Sequence, residues 1–242
     1  MIISYSDDFV FVRIPKNAST TCVVGLYDMG FVNESEGDMC TGIESGIGYT
    51  TDVEDSERKG INWPRESSLP LLDVNLKMNG ADANNYQVHE QHIKHAPYKR
   101  LVEVGLIDDD MPCVSTIRHP VSRFKSIISF LSLDVEVPTS DPNECWDLFK
   151  CGKRTFGDYH NMFKYPQSYY VSENATLFNV ENIYDWLEKF AKEKGREYKK
   201  PAYYKNNKGS QKISLTKDRE KEIIDWFQDD FLLWEQSYRE FN

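Results

Sequence analysis

The chain has 242 residues, 40% of them hydrophobic and 28% charged, with a formal net charge of −10. That length suits one large domain or two small ones at about 150 residues per domain, and it suffices for a substantial core. An acidic chain with no long Lys/Arg run repels polyanions, which argues against nucleic acid as a partner.

The first apolar run, residues 8–14 (DFVFVRI), reads as a buried strand. Pro15-Lys16-Asn17-Ala18 breaks it, and residues 19–29 follow as a helix capped by Ser19 or Thr20. Residues 30–85, rich in Gly, Ser, Asn and Asp, show little periodicity and read as a long loop-rich insertion with one or two short elements. Residues 111–117 form a second buried strand that ends at Arg118-His119-Pro120. A helix over 121–131 places Phe124, Ile127, Ile128 and Leu131 on one face. Residues 176–180 form a third strand, and a helix over 183–194 is capped by Asn182 and closed by Gly195. One last helix starts at Thr216 and carries the stripe Ile223, Phe227, Phe231 and Trp234 to near the C-terminus. No repeat and no linker interrupts the chain, so a single domain over 1–242 is expected. The alternation predicts an α/β fold with a central parallel sheet.

No stretch of about 18 apolar residues occurs, and residues 1–6 do not lead into one, so neither a membrane span nor a secretory leader is expected. Cys22, Cys40, Cys113, Cys145 and Cys151 are odd in number and form no CxxC pair. They read as reduced thiols of a cytoplasmic protein, without a structural zinc site. The Asn174-Ala-Thr sequon reads as a chance match.

Two segments carry chemistry. In the first, a buried strand runs into a turn holding Lys16, and Ser19, Thr20 and Thr21 open a helix. Unpaired amides at a helix start, a mobile ammonium and short hydroxyl donors together make an anion cradle. The spacing is not that of a GxxxxGK[ST] loop. Alone, it reads more readily as an ordinary strand–turn–helix with a surface lysine. In the second, Arg118 sits at a strand's C-terminal end, where open α/β sheets bind ligands, and Ser126 follows eight residues later. An arginine fork and a hydroxyl suit one phosphate. Arg123 and Lys125 read as a solvated helix face or an internal ion pair.

IPKNASTT resembles the 5'-phosphosulfate loop of sulfotransferases that use 3'-phosphoadenosine-5'-phosphosulfate (PAPS), and IRHPVSRFKSIISF resembles their 3'-phosphate motif. The order and separation of the two also match. The similarity is greatest to the carbohydrate branch that includes uronyl 2-O-sulfotransferases. His92-Ile-Lys-His95-Ala-Pro resembles its base-bearing segment, Tyr165-Pro166-Gln167 a Pro-Gln segment, and Asn206-Asn-Lys208-Gly-Ser210 its nucleotide-covering loop. Asn17 stands where threonine is usual, and His119 where Asp or Asn is usual.

The resemblance implies a P-loop-like three-layer fold with a mostly parallel sheet. It implies PAPS as donor, PAP as product, and a hydroxyl acceptor on a carbohydrate. Lys16, Asn17, Ala18, Ser19, Thr20, Thr21, Arg118, Ser126 and Lys208 would hold the donor, and Lys16 would stabilise the leaving phosphate. His95 is the first choice of base and His92 the second, with His89 and Glu90 as further candidates. Histidine suits that role at neutral pH. His89, His92 and His95, spaced by three, would share a helix face and resemble a metal site; no metal is expected. His119 and His160 read as structural or nucleotide-adjacent, and the tyrosines as packing residues. Two other readings stand: a Mg²⁺-dependent small-molecule kinase with a degenerate P-loop, and a non-catalytic binder of a nucleotide or anionic glycan.

Overall fold

The computed structural model describes residues 1–40, 95–103, 105–134, 139, 141–151, 163–200 and 213–241. Its strands are β1 (Ile2–Ser4), β2 (Phe9–Val12), β3 (Met39–Cys40), β4 (Cys113–Ile117) and β5 (Thr176–Asn179). They form one five-stranded sheet in the order β3-β1-β2-β4-β5. Helices are α1 (Ser19–Asp28), α2 (Tyr98–Glu103), α3 (Pro120–Asp134), α4 (Pro142–Lys150), α5 (Ile183–Glu193), α6 (Lys217–Trp226) and α7 (Gln228–Phe241). Short 3-10 turns cover Glu34–Glu36, Gln167–Tyr170 and Val180–Asn182.

The α/β class holds, but the sheet is mixed. β2, β4 and β5 run parallel, whereas β1 pairs antiparallel with both β2 and β3. The reason is a tight β1–β2 hairpin that reverses at Asp8, an aspartate in the left-handed region with φ 53°. Asp38 fixes that turn by accepting from the amides of Tyr5, at 2.6 Å, and Ser6, at 3.1 Å.

Both faces of the sheet are covered, so its central strands β2 and β4 are buried throughout. Phe9 and Phe11 pack with Val114 and Phe178 under α1 and α5, where Cys22, Leu26, Trp186, Leu187 and Phe190 are buried. Val10 and Val12 face the other way, onto Ile3, Cys113 and the α2 residues Tyr98 and Leu101. A third cluster joins α3, α4 and α6 through Phe124, Ile128, Trp146, Phe149, Ile223 and Phe227.

Three local expectations need correction. The N-cap of α1 is Ala18, in the left-handed conformation and without a side-chain cap bond, rather than Ser19 or Thr20. Asn182 does precede α5, but its side chain makes no capping bond; Asn179 instead accepts from the Glu181 amide at 3.0 Å. The final helix is two helices, because Phe227 leaves helical geometry (φ −111°, ψ 45°) as its ring enters the α3–α4 cluster. Of the loop-rich insertion over 30–85, residues 41–85 lie outside the described residues.

Candidate functional site

The sheet order creates a switch point. From β2 the chain leaves through α1 toward β3 at one edge, and from β4 it leaves through α3 toward β5 at the other. β2 and β4 are parallel neighbours, with Val12 opposite Ser115, so their C-terminal ends open side by side. Such a divergence is where open α/β sheets hold ligands. The Lys16 loop follows β2 there, and Arg118 follows β4.

The loop has a curled backbone. Lys16 (φ 67°) and Ala18 (φ 53°) are left-handed, while Asn17 between them is not. Alternating hands turn successive N–H groups into one concavity that favours anions. Left-handed non-glycine residues cost on the order of 1–3 kcal/mol each and persist only where the surroundings impose them. Here the α1 ladder begins with Thr21 bonding the Ala18 carbonyl at 3.0 Å. Among the described residues, none accepts a hydrogen bond from the amides of Asn17, Ala18, Ser19 or Thr20. They lie at the positive end of α1.

Three contacts impose this shape. The Asn17 side chain is fully buried, and its Nδ2 donates to the Thr116 carbonyl at 2.9 Å and to Gln167 Oε1. Arg118 Nη1 donates to the Lys16 carbonyl at 3.0 Å. Arg123 Nε donates to the Pro15 carbonyl at 3.3 Å. The two predicted half-sites therefore meet directly. The Lys16 ammonium lies 4.0 Å from the Phe130 ring centroid, a cation–π contact with α3. Burial pushes the Arg118 pKa below its ordinary value, with Glu181 opposing the shift. Ser126 is buried in the second turn of α3, and its hydroxyl bonds to no described residue.

His95 reaches the same end of β2. Its Nδ1 lies 2.8 Å from the Arg13 carbonyl oxygen. A carbonyl only accepts, so Nδ1 carries the proton and the neutral ring keeps its lone pair on Nε2. That tautomer is the one a general base needs, with the backbone as its orienting partner. His92, with the alternatives His89 and Glu90, and Lys208 lie outside the described residues, as does His160. His119 has a packing role: Nδ1 accepts from the Val121 amide at 3.3 Å, and the ring meets Phe231 and Trp234 edge-on at 5.6 and 4.7 Å.

The sequence reading missed four residues or gave them no role in the site. Arg13 shares its strand face with Phe9 and Phe11, which turns it inward beneath α1. There Nη2 donates to Thr20 Oγ1 at 3.0 Å, and burial lowers the Arg13 pKa to about 10. Gln167 is fully buried; Oε1 accepts from the Arg118 amide at 3.0 Å, and Nε2 donates to the Arg118 carbonyl at 2.8 Å. Asp230, in the first turn of α7, accepts from the amides of Gln167 (2.8 Å) and Ser168 (3.0 Å). Arg123 makes the internal ion pair, 3.9 Å from Asp230. The internal ion pair was one of the two readings of Arg123, Gln167 stood in the Pro-Gln segment, and Arg13 had an unused signal as an arginine in register with an apolar strand face.

Compared with models of protein families, with curated proteins and with solved structures, the chain matches none. The chemistry must be read from the site itself. Arg13, Lys16, Arg118 and Arg123 collect around one loop of a chain whose net charge is −10. Such a cluster, with inward-curled amides beside it, is suited to a ligand bearing more than one anionic group. No described helix is long and apolar enough to cross a membrane.

Proposed function

We propose that the chain is a sulfotransferase on a P-loop-like fold, moving the sulfuryl group of PAPS to an acceptor hydroxyl by in-line displacement. The acceptor class implied by the sequence resemblance is a carbohydrate. The observation that carries the reading is the Arg118–Lys16 hydrogen bond at 3.0 Å, which joins two anion-binding motifs over one switch point.

The residues present fit such a donor. Four amides, from Asn17 to Thr20, have no acceptor among the described residues, and the Ser126 hydroxyl is likewise unengaged by them. The loop amides and Lys16 would hold the 5' side, and Arg118 with Ser126 the 3'-phosphate. The donor supplies a sulfuryl group attached to a phosphate leaving group. Lys16 and the amides stabilise the negative charge that grows on that phosphate as its bond to sulfur breaks. His95 Nε2 takes the proton of the acceptor hydroxyl as the new sulfur–oxygen bond forms, and its Nδ1–H stays on the Arg13 carbonyl throughout.

The test is transfer of radiolabelled sulfate from PAPS to a panel of uronic-acid oligosaccharides and simple alcohols. His95→Ala should abolish turnover while donor affinity stays within about twofold, because the side chain removed is the base and not a phosphate ligand. Undiminished turnover in His95→Ala would move the base elsewhere, His92→Ala being the next variant. Strict Mg²⁺ dependence with ATP as donor would favour the kinase instead.

A further inference from the structure

We propose that Gln167 is a positioning residue that fixes the spacing between the Lys16 loop and Arg118, so that preference for a two-phosphate ligand depends on it. This rests on the donor reading above and adds a residue to it.

The side chain of Gln167 is fully buried and so touches no ligand. Three of its hydrogen bonds end on the two half-sites. Oε1 accepts from Asn17 Nδ2 in the loop and from the Arg118 amide at 3.0 Å, while Nε2 donates to the Arg118 carbonyl at 2.8 Å. Both polar backbone groups of Arg118 are thus held by one carboxamide, much as a neighbouring strand would hold them. Arg118 then closes the ring through the Lys16 carbonyl at 3.0 Å.

Gln167 is anchored in turn. Its amide donates to Asp230 at 2.8 Å, and Asp230 faces Arg123, which binds the carbonyls of Pro15 (3.3 Å) and Tyr165 (3.1 Å). Two rings of contacts therefore share the loop, and both pass through residue 167. Burial raises the Asp230 pKa and lowers that of Arg123 against their mutual attraction.

A clamp that only stabilised the fold would affect all ligands alike. A clamp that sets spacing affects a bidentate ligand most. The probes are adenosine 3',5'-bisphosphate and AMP, titrated by calorimetry into the whole chain and into Gln167→Met and Asp230→Asn. Gln167→Met keeps the length and removes the polar atoms. Asp230→Asn keeps one acceptor oxygen and removes the charge.

Wild type should prefer the bisphosphate. Gln167→Met should cut that preference by about tenfold, the loss expected of buried hydrogen bonds that hold one contact in place. Its affinity for AMP should change by less than about threefold, and Asp230→Asn should act in the same direction more weakly. If Gln167→Met does not fold, Asp230→Asn decides alone. A preference kept within about twofold by the folded variants, or an equal loss for both ligands, would overturn the clamp and leave the donor reading intact. A wild type without bisphosphate preference would overturn the donor reading and the clamp with it.

Discussion

Removing the Asp230 carboxylate is the sharpest perturbation of the scaffold under the site. The side chain is fully buried, accepts two backbone amides at 2.8 and 3.0 Å, and stands 3.9 Å from Arg123. Asp230→Ala strands both amides and leaves a buried guanidinium without its counter-charge. Breaking a buried pair costs about 3–5 kcal/mol, and each stranded amide about 1–3, in terms that overlap. We take about 4 kcal/mol for the whole. With a urea m-value of about 3 kcal/mol/M for a chain of this size, the unfolding midpoint should fall by about 1.3 M. The double variant Arg123→Met with Asp230→Leu buries no charge, but it strands the two amides and also the Pro15 and Tyr165 carbonyls that Arg123 binds. It should be no less stable than Asp230→Ala alone, because removing the unpaired buried charge offsets the two stranded carbonyls. Tryptophan fluorescence in urea measures all three proteins. A midpoint shift under about 0.3 M for Asp230→Ala, or a double variant less stable than the single one, would refute the reasoning.

Further outcomes follow from the packing and from titration. Phe178 is fully buried against Trp186 and Phe190, so Phe178→Ala should cost about 4 kcal/mol and lower the Tm by about 12 °C in a thermal melt. Burial holds the His119 pKa below its ordinary 6.5, with Lys125 acting the same way and Glu181 and Glu220 opposing. The unfolded chain then binds this proton first, so stability is full above pH 6.5 and falls as pH drops through that value. His119→Asn keeps an acceptor for the Val121 amide and should flatten the dependence of Tm on pH just below 6.5. At more acid pH, stability should fall again from 4.5 toward about 2, because the hydrogen bond from Lys150, with those from Trp146 and Arg219, holds the Glu222 pKa at about 2. Glu222→Gln should lessen that second fall in the same melts, while Asp38, held low against its burial by hydrogen bonds from Ser6, Asn33 and Tyr5, keeps part of it.

The elements that sequence patterning found are those where one rule decides. β2 is a continuous apolar run ended by Pro15, β4 is a short β-branched run ended by Arg118-His119-Pro120, and α5 buries Ile183, Trp186, Leu187 and Phe190 at helical spacing. β1 was missed because Ile2–Ser4 is too short for a period, and without it the sheet reads as parallel. α4 was missed although Asp141 caps it and Pro142 stands at its start, a signature that was available. The break at Phe227 is invisible to a spacing rule, because Ile223, Phe227 and Phe231 keep a stride of four through the bend.

Of the site, Lys16 was legible through the resemblance of its segment, and Arg118 also through its place at a strand's C-terminal end, where open α/β sheets bind ligands. Asp230 was not, since beside Asp229 in the first turn of a helix it resembles a solvated acidic start. Gln167 was noticed only as part of a Pro-Gln segment. Its role lies in long-range contacts to Asn17 and Arg118 that no local pattern encodes.

The decisive measurement is calorimetric titration of the whole chain with PAP, with ATP and ADP as controls, repeated for Lys16→Ala and Arg118→Ala. A sulfotransferase site should bind PAP without Mg²⁺, ignore ATP, and lose about 2 kcal/mol or more of binding in each variant, a thirtyfold weakening at least. Absence of PAP binding, or ATP binding that requires Mg²⁺, would contradict it.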